Sequence, residues 1–184
     1  ASAAQIQSTI KHPRIEYAVA EARHSPLVDH SVDLITVAQA LHWFADQIFY
    51  DEVRRVARPN ALLAVWGYGR WQIQEPTVDA LFQEFYDEII GPYWPDERKI
   101  IESGYRHLTI PFHEIETPNL QMTASWRLEQ LFGYMNTWSA CTRFQEIRGI
   151  DPLIDLLERC RHKGIDASDQ FEVAWPLAMR WFKI

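Results

Sequence analysis

A chain of 184 residues with 47% hydrophobic and 13% aromatic content can bury one sizeable core, and its length fits a single domain carrying an insertion. A net charge of −7 and a pI near 5.5 provide no basic field for a phosphate backbone, which argues against nucleic acid and for a small-molecule partner. Cys141 and Cys160 lack CxxC spacing, the histidines form no HxH or HxxxH pair, and no apolar run nears the roughly 18 residues of a membrane span, so a reduced, metal-free, membrane-independent cytoplasmic protein is expected.

Residues 1–10 have helical apolar spacing, stopped by Lys11-His12-Pro13 because proline disfavours helix in the residue before it. Arg14 to Ala20 alternates Ile15, Tyr17 and Val19 at strand period, and a polar connector follows from Ser25 to Ser31. Val32 to Ala38 is a β-branched apolar run, the pattern of a parallel strand covered on both faces. Asp46 to Ala57 carries Ile48, Phe49, Val53 and Val56 on one helical stripe. Arg58-Pro59-Asn60 ends that helix, and Ala61 to Trp66 is a further apolar strand, completing a βαβ unit with a right-handed crossover. Beyond Gly67-Tyr68-Gly69 the spacing becomes helical, over 77–90 and 96–105, as in an insertion. Phe112 to Ala124 reads as one strand or a bent pair. Helices are predicted at 126–137, 139–148 and 152–161, with Asp151-Pro152 as N-cap and first-turn proline of the last. Phe171 to Ile184 is a terminal strand in which Pro176 marks a bulge or an edge position. No repeat or low-complexity tract is present.

The segments IEYAVAEA, SVDLITVAQALHWF and FYDEVRRVARPNALLAVWGYG, between Ile15 and Gly69, carry a resemblance. So do Trp138-Ser139-Ala140, Asp151-Pro152-Leu153 and Trp175-Pro176-Leu177. Together they resemble the class I S-adenosylmethionine-dependent methyltransferases, in particular the trans-aconitate methyltransferase-like branch with its Q-A-x-H-W-F segment. The resemblance implies an α/β fold with a Rossmann-like sheet and a helical insertion. Its third to seventh strands would be present and its first two, with the glycine-rich turn and the ribose-binding acid, missing. Roughly 50 residues would then precede Ala1, since one βαβ unit takes about 30 or more. On this reading the chain is N-terminally truncated, with a gap in the sheet. Residues 1–70 form the end of the cofactor-binding core, 71–111 a helical cap over the substrate, and 112–184 the elements that complete the sheet.

In an open α/β sheet ligands bind beyond the carboxyl ends of the strands. The resemblance accordingly implies that Val19, Ala20 and Glu21 hold the adenine of S-adenosylmethionine, although Val19 stands where the family often has an acid. Gln39, Ala40 and Phe44 match the segment lining the methionine end. His42 and Trp43 match its catalytic part, where an indole face suits a sulfonium through cation–π attraction and an imidazole near neutrality can orient an acceptor or act as a base. Packing of the strand end is the alternative for His42-Trp43, and a solvated loop carboxylate the alternative for Glu21. Trp71, Tyr93, Trp94, Tyr134 and Trp138 read either as a substrate-pocket wall or as ordinary core. A carboxylate acceptor is already ionised at pH 7 and needs no general base. Arg70, Arg127 and Arg143 are the residues that could pair with it.

The expected activity is methyl transfer to a small molecule, on a carboxylate oxygen. Two other readings stay open. One is an inactive fragment that folds only with a partner or a swapped copy in a homodimer. The other is a methyltransferase acting on tRNA or protein.

Overall fold

The computed structural model describes residues 3–184. Its helices and mixed sheet fall into two compact units, through both of which the chain passes more than once.

The first unit runs to Trp66 and adds His107–Thr117 and Met179–Ile184. The helix expected over 1–10 is α1 (Ala3–Gln7), and its predicted first two residues lie outside the described range. The predicted strand over 14–20 does not form. Those residues make no ladder, and Ile15, Tyr17 and Val19 are exposed. Alternation gives a segment two faces, but a strand also needs a neighbouring strand to pair with, and among the described residues none pairs with this segment. β1 (Val32–Ala38) has the predicted bounds and pairs in parallel with β2 (Ala57–Tyr68). α2 (Gln47–Val56) is the crossover between them, and the Asp46 carboxylate caps it by accepting from the Phe49 N–H at 3.0 Å.

Three details depart from the sequence reading. Arg58-Pro59-Asn60 lies within β2 rather than before it. There the β1–β2 register shifts, and Asn60 takes φ +66°. β1 is not covered on both faces, because Leu34 is 56% exposed and Val37 alone is buried. Ile48 is exposed while Phe49, Val53 and Val56 are buried. The buried arc of α2 is centred on 49, 53 and 56, and a residue one step away points about 100° aside. β4 (His113–Ile115) pairs antiparallel with the C-terminal end of β6 (Gln170–Lys183), giving the unit the order β1-β2-β6-β4.

The second unit comprises Gly67–Arg106 and Pro118–Ala178. Here β3 (Gln72–Ile73) and β5 (Gln121–Arg127) flank the N-terminal half of β6, both antiparallel to it. Phe112 to Ala124 is therefore a separated pair, β4 and β5, with the chain turning between them. Pro176 sits opposite Gln121 at the end of the β5 ladder, where a missing N–H breaks no interior bond. The helices are α3 (Pro76–Glu84), continued by a wider π turn over Phe85–Ile89, α4 (Arg98–Glu102), α5 (Leu128–Met135), α6 (Ser139–Arg148) and α7 (Leu153–His162). α6 matches its predicted bounds and closes at Gly149 with φ +72°, the left-handed position where glycine avoids a Cβ penalty. Ahead of α7 the Asp151 carboxylate accepts from the Leu153 N–H at 2.9 Å, as its capping role predicts. The core of this unit includes Trp71, Phe82, Phe85, Leu131, Met135 and Leu156.

Cys141 and Cys160 belong to that core and are unlinked. Burial pushes the Cys141 thiol up to about 12 and raises that of Cys160. Since the thiolate is the nucleophile, neither is expected to react with iodoacetamide at pH 8 in the folded protein, and both should react in denaturant. Mass spectrometry of the alkylated protein reads the result, and labelling of either thiol without unfolding would contradict this packing.

Candidate functional site

In the first unit the chain leaves β1 through Gln39, whose φ of +52° is uncommon for a residue with a side chain. The Gln39 N–H donates to the Trp66 carbonyl at 2.8 Å and so fixes the turn. A 3₁₀ turn over Leu41–Trp43 follows. Leu41 is fully buried, Phe44 packs edge-on against Phe49 at 4.9 Å, and Trp43 is 62% exposed, with its ring 4.5 Å from that of His42. The two apolar anchors thus turn inward and hold the indole of Trp43 at the surface. An exposed tryptophan forgoes a large burial gain.

The loop before β1 is fastened to this segment by charge. Arg23 Nε donates to Asp46 Oδ2 at 2.7 Å, and Arg23 Nη2 reaches the Trp43 carbonyl at 3.4 Å. The Arg23 hydrogen bond, with help from the Phe49 N–H, holds the Asp46 carboxyl below the usual carboxylate range. A second tie lies along α2. Glu52, 8% exposed, accepts from the Ser25 N–H at 2.8 Å and the Ser25 hydroxyl at 2.7 Å, and pairs with Arg55 through both carboxylate oxygens. Arg55 in turn donates to the Leu27 carbonyl and pairs with Asp29. Its hydrogen bonds are the largest influence bringing the Glu52 carboxyl down to about 2.

Between loop, β1 and α2 opens a cleft of about 280 Å³, lined mainly by apolar groups, among them Ala22, Ile35, Val37, Ala40, Phe44 and Val53. Of the residues matched to the cofactor, Ala40 and Phe44 line this cleft. Gln39, His42 and Trp43 belong to the turn beside it. Val19, Ala20 and Glu21 lie on the exposed approach to Ala22 and Arg23, with Glu21 bridged to His24. Sequence reasoning passed over Arg23, Ser25 and Glu52. Each has a partner more than 20 residues away, and only Glu52–Arg55, at i,i+3 on a helix, carries a local signal.

The second unit holds the aromatic group. Trp71 is 2% exposed and in ring contact with Phe82, Tyr134, Trp138 and Trp175. Tyr93 packs edge-on against Phe144 and accepts from Arg148 Nε at 2.7 Å. Two clefts border the cluster. One, of about 320 Å³, is walled by Tyr68, Met122, Trp126, Tyr134 and Trp175. The other, of about 370 Å³, is lined by Arg70, Tyr86, Trp94, Arg98 and Glu102 among others. Of the three arginines read as carboxylate partners, Arg70 is committed to Asp87 and Gln83, Arg127 is paired with Glu129, and Arg143 is exposed. Among the described residues no cluster of three or more His, Cys, Asp or Glu side chains is placed to hold a metal ion, and no helix is long and apolar enough to cross a membrane.

Residues 1–65 match the profile of a methyltransferase domain. The solved structure of an Anaeromyxobacter dehalogenans protein described as a type II methyltransferase superposes with a TM-score of 0.91 at 40% identity, over 99% of this chain and 77% of that one. The chain belongs to the methyltransferase family. A Dictyostelium discoideum protein named as a methyltransferase is 33% identical over 159 residues, 85% of this chain and 60% of its own. A methyltransferase-like protein of Schizosaccharomyces pombe is 28% identical over 139 residues, 74% of this chain and 52% of its own. The chain thus spans between about half and three-fifths of the curated relatives it matches. The α/β arrangement of a mixed sheet with helices is the one this family membership requires.

Proposed function

We propose that this methyltransferase uses S-adenosylmethionine to methylate a carboxylate oxygen of a small acceptor, in the manner of the trans-aconitate methyltransferase-like branch. The observation that carries the reading is the Arg23 bridge to Asp46 and the Trp43 carbonyl, which ties the loop after Ala20-Glu21 to the segment Gln39 to Phe44. These are the two stretches matched to the ends of one cofactor. Their surroundings fit part of such a ligand. Small-molecule sites run from about 300 Å³ upward and are largely apolar with a few polar groups, so a cleft of about 280 Å³ takes a portion of a nucleoside-sized molecule. Ala22, Ala40 and Phe44 supply its apolar wall, and on the turn beside it the exposed Trp43 indole offers a face that tolerates positive charge.

The bound cofactor supplies an activated methyl group. An acceptor carboxylate is ionised at neutral pH, so no side chain has to remove a proton. The work left to the protein is to hold the reactants in line and exclude water, which accounts for most of the acceleration available to a transfer of this kind.

Trp43→Ala tests the reading. The ring is largely exposed, so its loss should leave the melting temperature nearly unchanged. Cation–π attraction is worth about 0.5–2 kcal/mol, so calorimetry should show affinity for S-adenosylmethionine falling about tenfold and affinity for S-adenosylhomocysteine, whose sulfur is a neutral thioether, falling less. Equal losses would remove the sulfonium role of Trp43. Methyl esters that release methanol in base are the expected products, and their absence across a panel of small carboxylic acids would count against a carboxylate acceptor.

A further inference from the structure

Two residues that line the polar cleft of the second unit carry hydrogen-bond donors that the described residues leave without acceptors. Trp94 lines it, and the indole Nε1 of Trp94 is buried with no hydrogen-bonding partner among the described residues. Indole N–H is a donor only and cannot be satisfied by another donor. Arg98 lines it too. Its Nε donates to the Tyr86 hydroxyl at 3.0 Å and to Glu102 Oε1 at 3.3 Å, but its two terminal nitrogens meet no acceptor among the described residues, although the side chain is only 18% exposed. Its guanidinium carbon lies 4.8 Å from the Trp94 ring centroid and 5.9 Å from that of Tyr86, so two aromatic rings restrict where the guanidinium can go. The other cations of the cleft are engaged, Arg70 by Asp87 and Lys99 by Asp96.

We propose that this cleft is a carboxylate-binding site, in which the free edge of Arg98 and the Trp94 N–H take a carboxylate of the acceptor. The proposal rests on the reading of the acceptor as a carboxylic acid. A planar anion with two acceptor oxygens matches a guanidinium fork and a neighbouring N–H. The charge balance suits a group that brings one negative charge into the cleft, as a single carboxylate does. Arg70, Arg98 and Lys99 are offset by Asp87, Asp96 and Glu102, so the cleft is formally neutral before binding. A phosphate dianion would bring a second charge against Asp87 and Glu102. The rings of Tyr86 and Trp94 offer apolar surface to the carbon skeleton of the ligand.

Succinate and inorganic phosphate, titrated calorimetrically into the full chain at low salt, are the probes. Succinate should bind and phosphate should bind more weakly. Arg98→Met keeps the stem on Trp94 and removes the fork, and should weaken succinate at least tenfold. Trp94→Phe removes the unpaired donor while keeping a ring, and should weaken succinate about three- to tenfold without lowering the melting temperature of the unliganded protein. Trp181→Phe, which removes the buried indole N–H of the other unit that has no hydrogen-bonding partner among the described residues, should leave succinate affinity unchanged. Succinate affinity that is absent in the wild type, or unaltered in Arg98→Met, overturns the site. Phosphate binding as tight as succinate, itself a dianion at neutral pH, overturns the selection of a carboxylate group over a phosphoryl group. Succinate binding lost in Arg98→Met while the wild type forms no methyl ester would uphold the site and overturn the carboxylate-methylation reading. Ester formation unaffected by Arg98→Met would do the reverse.

Discussion

Trp71→Ala is expected to remove about 3–5 kcal/mol of stability, the range for deleting a buried aromatic side chain. The ring is 2% exposed, and four other rings surround it with centroids 5.4–6.1 Å away. Deleting it opens a void among Phe82, Tyr134, Trp138 and Trp175, and these rigid side chains cannot collapse into it without leaving their rotamers. Trp71→Phe should cost less, because part of the ring contact survives. Urea unfolding at neutral pH measures both. The sequence left Trp71 open between pocket wall and core, and the same experiment separates the two. A wall residue would lose ligand affinity at nearly constant stability, whereas a core residue loses stability first. Trp43→Ala gives the opposite expectation, because 62% of that residue is already in water.

Legibility in the sequence followed the range of the interactions that set each feature. β1 and α6 have their predicted bounds because each is specified locally. A β-branched run defines the first, and a helical pattern ending at Gly149 defines the second. The segment 14–20 alternates as well as many strands do, yet strand formation is a property of a pair. β3 is two residues long and has no period to detect. The same division holds at the sites. Gln39 to Phe44 could be read from a motif, whereas Arg23 is defined by an acid 23 residues away. Arg98 is the intermediate case. Its i,i+4 pairing with Glu102 was visible in principle, but that its terminal nitrogens stay free beside Trp94 depends on packing that no spacing encodes. The eight tryptophans make the same point. Composition marks an aromatic-rich protein, but only the fold separates the buried Trp71 from the exposed Trp43.

Glu52→Ala should cost about 2–3 kcal/mol, and its effect should depend on pH in a defined direction. The carboxylate is nearly buried and accepts from Ser25 twice and from Arg55 twice. Removing one partner of a fully buried ion pair costs about 3–5 kcal/mol, and the lower figure follows because one third of the Arg55 side chain remains in water and keeps its pairing with Asp29. The folded-state carboxyl titrates near 2 against an ordinary value of 4.5. A lowered carboxyl pKa contributes stability that is complete above the unfolded value and disappears as pH falls through the folded one. The wild type should therefore lose this contribution between about pH 4.5 and pH 2, and Glu52→Gln should have a flatter stability profile across that window. Since Glu52 is what holds the Ser25 N–H, amide exchange at Ser25 should accelerate in the variant at pH 7 even where global unfolding does not account for it. The loop bearing Arg23 is fastened to α2 at both Asp46 and Glu52. Loosening the second fastening should accordingly weaken S-adenosylhomocysteine binding by a small factor, and an unchanged affinity together with fast Ser25 exchange would mean that Arg23 alone suffices to position the loop.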